Sequence, residues 1–112
     1  MSNLYLKNEP TLFDYQTYIK DMVLERGFDK NNVSELFQLF LEECGELAKA
    51  ARKKQGLHTD SNSKEDDVGL EAADVFMYLL NICNQFDIDL EKSFREKEEM
   101  NKKRVWEKCV RP

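Results

Sequence analysis

Residues that break or staple a chain are scarce here. The 112 residues include only 4 glycines and 2 prolines, which excludes collagen-like and low-complexity chains. With 41% apolar and 35% charged residues, a wholly disordered chain is excluded as well. The three cysteines, Cys44, Cys83 and Cys109, are odd in number and form no CxxC pair, so no disulfide framework is expected and a reducing compartment fits. One histidine, His58, and no clustered cysteines leave no zinc site. Any metal here has to be held by oxygen. No apolar run approaches the roughly 18 residues of a membrane span. The opening MSNLYLKNEP lacks the basic-then-apolar pattern of a signal peptide. A soluble cytoplasmic protein with no membrane partner is expected. Basic charge is short too: 17 basic against 22 acidic residues give a net charge of −5, which argues against wrapping duplex nucleic acid. A nucleotide ligand stays open, because a small anion needs only a local basic patch or a metal.

What remains is one domain of helices. A chain of this length buries roughly 65% of its unfolded surface and needs no staples, and it leaves no room for two domains, so residues 1–112 are read as one. No internal repeat and no period-two alternation occur; the breakers divide the chain into four helical segments. The first starts at Thr11, with Asp14 as a capping partner, carries the stripe Leu12, Tyr15, Ile19, Met22 and Val23, and ends at Gly27. A polar connector, Asp29 to Asn32, leads to Ser34 as the next N-cap, and the second helix runs to about Lys54. A loop, Gly56 to Ser63, holds His58. The third helix is predicted from near Ser63 to about Phe86, the fourth from an Asp87 or Asp89 cap to about Arg104. The fold class is all-α, a four-helix bundle alone or completed by a partner chain.

At about 100° per residue, the apolar arc of the second helix holds Leu36, Phe37, Leu39, Phe40, Cys44, Leu47, Ala48 and Ala51. Glu43 falls inside that arc, where an ionised carboxylate is costly unless paired or metal-bound. Glu46 lies on its edge and Glu42 just beyond. The third helix is apolar over most of its circumference, more than a lone bundle of this size covers, which predicts a homodimer or a dimer of dimers. Its one polar seam holds Glu71, Asp74, Tyr78, Asn81 and Gln85, and no lysine or arginine occurs between Lys64 and Lys92. Glu43-x-x-Glu46 and Glu71-x-x-Asp74 each place two carboxylates on one face. If those faces meet, four like charges demand a counterion, and oxygen ligands suit Mg²⁺ or Mn²⁺. On the fourth helix Lys97, Asn101 and Arg104 share a face with Leu90 and Phe94. They either snorkel over the core edge or grip a polyphosphate beside the metal.

These residues resemble the MazG-like nucleotide pyrophosphohydrolases, of the all-α NTP pyrophosphatase superfamily. The matching stretches are LFLEECGELAKAARK, GLEAADVFMYLLNI and IDLEKSFREKEEMNKKR, within about residues 34–105. The resemblance implies Mg²⁺-dependent cleavage of (deoxy)nucleoside triphosphates to monophosphate and pyrophosphate, as house-cleaning of the nucleotide pool by a dimer or larger homo-oligomer. It places Glu43, Glu46, Glu71 and Asp74 on metal ligands, and Tyr78, Lys97, Asn101 and Arg104 on nucleotide contacts. For such a site Glu42 or Glu46 is the candidate general base. Phe13, Tyr15 and Tyr18 are read first as core residues, with stacking on the base as the alternative role. A non-enzymatic helical interaction module and a bare metal-binding bundle are the competing classes.

Overall fold

The computed structural model describes residues 2–56 and 67–107. They form four α-helices and one short 3-10 turn, with no strand among the described residues: α1 is Leu12–Arg26, the turn Phe28–Lys30, α2 Val33–Lys54, α3 Val68–Gln85 and α4 Leu90–Lys102. No described helix is long and apolar enough to cross a membrane.

Capping chemistry sets the helix ends. Asp14 N–H donates to Thr11 Oγ1 (3.2 Å) while Thr11 N–H donates to Asp14 Oδ2 (2.8 Å), closing the capping box that starts α1. Gly27 ends it at φ +74°, the left-handed conformation that a Cβ disfavours. The start of α2 corrects the reading from sequence. Asn32, not Ser34, is the cap: its Oδ1 accepts from Glu35 N–H at 2.8 Å, and Glu35 Oε1 accepts from Asn32 N–H at 3.4 Å. Ser34 therefore sits in the first turn. The third helix begins at Val68, later than expected from Ser63, because Asp67 is extended and caps Leu70 N–H (3.1 Å). Residues 57–66, with His58, Ser63 and all of the expected loop after Gly56, lie outside the described residues, as does Cys109. Of the two candidate caps for α4, Asp89 does the work (Lys92 N–H, 3.1 Å), and Asp87 occupies the turn at φ +52°. The helix ends at Lys102, so Arg104 lies beyond it.

The core forms where α1 crosses α3: Ile19, Met22, Val23 and Leu80 are buried, and Leu12, Tyr15, Tyr18, Phe76 and Leu90 pack around them. Tyr15 meets Phe76 edge-on at 5.5 Å. The helices α2 and α3 pack along one another and run in opposite directions. Leu36 lies two turns before Glu43 and Asn81 two turns after Asp74, yet both line one cavity. Within this chain the burial of α3 is narrower than its composition predicts. Leu80, Asn81, Ile82 and Cys83 are buried, all in the C-terminal half, while Leu70 is 69% and Met77 38% exposed. In α2 only Leu36 and Ala50 are buried. The last helix, α4, rests on α1 and is solvated along most of its length, with Phe94 and Met100 exposed.

Candidate metal centre

Two helices each deliver acids to one point. Carboxylate oxygens of Glu43 on α2 and of Glu71 and Asp74 on α3 lie within 4.8 Å of one another. The sequence logic is local: Glu43 occupies the face of α2 that packs on α3, and the i,i+3 spacing of Glu71 and Asp74 turns both toward it. Burial pushes the Glu43 carboxyl above its ordinary range, and the charges of Asp74, Glu71, Glu42 and Glu46 push it further. A cluster in which one acid already resists ionisation is an acceptor for a proton or a hard cation.

Not every acid expected here joins it. Glu46 is solvent-exposed and lies outside the three-carboxylate group, although its charge is felt by Glu43. Glu42 is exposed in the same way. Tyr78 stands one turn past Asp74 with its phenol partly buried. Burial, then the charges of Glu43, Asp74 and Glu42, hold its pKa up, so the hydroxyl keeps its proton and is available as a donor.

A cavity of about 300 Å³ opens from the acids. Glu43, Asp74 and Tyr78 line one part, while Leu36, Leu39, Met22 and Met77 give it apolar walls and Asn81 closes α3's side. Arg26, Phe28 and Asn31 line it as well. Reading the sequence missed these three, since their place depends on where the end of α1 lands against α2 and α3. None of the first-helix aromatics enters this cavity: Tyr15 and Tyr18 pack on the core, and Phe13 borders a separate depression with Gln16, Lys20 and Asn84.

Lys97, Asn101 and Arg104 are not brought to the acids of their own chain. They stand on and just beyond α4, outside the cavity wall. The Arg104 guanidinium lies 4.5 Å over the Trp106 ring, and Trp106 Nε1–H donates to the Asn101 carbonyl at 2.9 Å. That hydrogen bond and the ring–guanidinium contact fold the C-terminal end of α4 onto itself.

A family model described as the MazG nucleotide pyrophosphohydrolase domain matches residues 31–106, more than half of the chain, and the matched span includes all three clustered acids. Among curated proteins none matches.

Proposed function

The chain belongs to the family of the MazG nucleotide pyrophosphohydrolase domain, and on that premise we propose that it cleaves (deoxy)nucleoside triphosphates to the monophosphate and pyrophosphate. In this reading residues 1–112 act as a single domain in a cytoplasmic, house-cleaning enzyme. The observation that carries it is the convergence of Glu43, Glu71 and Asp74 from two helices at a cavity with apolar walls.

The donor set fits a hard divalent cation. Glu43, Glu71 and Asp74, whose carboxylate oxygens lie within 4.8 Å of one another, would hold Mg²⁺, or Mn²⁺ as a substitute. When bound, the ion supplies positive charge to the phosphates and acidifies the attacking water. Phosphoryl transfer asks the protein mainly for positioning and charge. Glu42 or Glu46, exposed beside the cluster, takes the proton of that water. The Tyr78 hydroxyl donates a hydrogen bond to the substrate. Lys97, Asn101 and Arg104 do not line the cavity beside their own chain's acids, so in this reading they hold the triphosphate in the site of a second copy, within a homodimer or a dimer of dimers.

The test is pyrophosphate release from a panel of deoxynucleoside triphosphates with Mg²⁺ and again with EDTA. Metal-dependent release of pyrophosphate is expected. Mn²⁺ binding without hydrolysis points instead to a metal-binding bundle, and neither activity points to an interaction module.

A further inference from the structure

The cavity has two chemically different ends. Glu43 and Asp74 mark one; Leu36 and Asn81, two turns away along antiparallel helices, mark the other, roughly 10 Å distant at 1.5 Å per residue. Leu36 makes that end apolar on the α2 side, Met22 and Leu39 add apolar wall to the cavity, and an aromatic ring in its lining, Phe28, stands 46% exposed. A polyphosphate gains nothing from such walls, whereas the flat face of a nucleobase does. With the phosphates drawn to the acids and their cation, the base reaches this end.

Among the described residues, one charged side chain lines the cavity besides the acids. Arg26 stands in the last turn of α1. Among the described residues no hydrogen bond or ion pair engages its guanidinium. Arg26 and Phe28 also precede residue 31, where the family match begins. A guanidinium offers five donors in a fixed fork and no acceptor. Guanine places two acceptors, O6 and N7, side by side for such a fork; cytosine does so with O2 and N3, and thymine and uracil offer carbonyls. Adenine has no carbonyl and puts an amino donor on its exposed edges.

We propose that Arg26 is a specificity residue whose guanidinium reads the carbonyl edge of the base, so that the site favours carbonyl-bearing bases over adenine. The inference rests on the reading that the site takes nucleoside triphosphates. Asn31 and Asn81, whose amides have both a donor and an acceptor, are the groups in the cavity that adenine would use, and they supply the contrary outcome.

The experiment compares kcat/KM for dATP, dGTP, dCTP and dTTP in the parent and in Arg26→Gln, with Mn²⁺ affinity measured by calorimetry in both. The parent should turn over the carbonyl-bearing substrates in preference to dATP. Arg26→Gln should shrink that preference by about 5- to 150-fold, the discrimination of one bidentate pair, with Mn²⁺ affinity held. A parent that prefers dATP overturns the proposal. So does a variant that loses all four substrates by one common factor, since Arg26 then acts on the phosphates, and so does a variant with an unaltered ratio. A parent that neither hydrolyses nor binds any of the four nucleotides sinks the pyrophosphohydrolase reading and this inference with it, whereas hydrolysis of all four with ratios indifferent to residue 26 sinks this inference alone.

Discussion

Glu43 concentrates the electrostatics of this molecule in one carboxyl group. Burial and four acidic neighbours raise its pKa above the ordinary glutamate value of 4.5, so the folded, metal-free protein holds a proton there that the unfolded chain releases. Stability therefore falls as pH rises through the window between 4.5 and the raised value. Glu43→Gln should raise Tm at pH 7 in EDTA, with the gain shrinking as pH approaches the ordinary glutamate range, while Mg²⁺-dependent turnover is lost. Equal melting of variant and parent at pH 7 would contradict this. The neighbouring acids separate by the same logic. Glu71→Gln removes a member of the cluster and should weaken Mn²⁺ binding by roughly 10- to 150-fold, the equivalent of a charged contact of about 1.5–3 kcal/mol. Glu46→Gln removes only a nearby charge and should cost less than tenfold by the same titration. Periodicity set Glu43 inside the apolar arc of α2 and Glu46 on its edge, and the fold leaves Glu43 half-buried and Glu46 exposed, because an angle of about 60° around the axis separates the packed face from solvent.

Between helices, one polar side chain ties three elements together. Gln16, buried on α1, donates through Nε2 to Asn84 Oδ1 (3.0 Å) and to the Ile88 carbonyl (2.7 Å), and accepts from Leu90 N–H through Oε1 (3.0 Å). Asn84 Nδ2 returns a bond to the Gln16 carbonyl at 2.9 Å. These contacts fix the turn between α3 and α4 and hence the direction in which α4 leaves the core. Gln16→Met keeps the volume but strands partly buried partners, each costing about 1–3 kcal/mol. A loss of about 2–4 kcal/mol in urea unfolding is expected, and a loss below about 0.5 kcal/mol would show that the clamp contributes nothing. Thr11, Asp14 and Gly27 were legible as helix ends because capping is local chemistry. Asn32 was passed over although Asn-x-x-Glu is as good a box as the one at Thr11. Gln16 left no trace in sequence, since its partners lie about 70 residues away.

The described helices leave an apolar surface in solvent, made by Phe37, Leu41 and Leu70 on α2 and α3 and by Phe94 and Met100 on α4. Association into a homodimer or a dimer of dimers would cover it, and sedimentation should find no monomer at micromolar concentration. If α4 serves a neighbour's acids, Glu43→Gln and Arg104→Ala protomers, each inactive or weakened alone, should regain turnover when refolded together. Mixtures no better than the sum of their parts would place each site within one chain.

Sequence by itself determined what depends on neighbours along the chain: four helices, the cap at Thr11 and the stop at Gly27, and which faces carry acids, because 3.6-residue periodicity and capping act over one or two turns. With one histidine and no clustered cysteines, it also left carboxylates as the donors that a metal would find. Tertiary structure decided what depends on distance in space. It grouped Glu43 with Glu71 and Asp74 while leaving Glu46 in solvent, set Arg26, Phe28 and Asn31 around the cavity, and kept Lys97, Asn101 and Arg104 away from their own chain's acids. The physical reason is that a helix presents several polar edges at once. Only the angle and depth at which two helices pack select the edge that is desolvated, and those follow from the fit of side chains far apart in sequence.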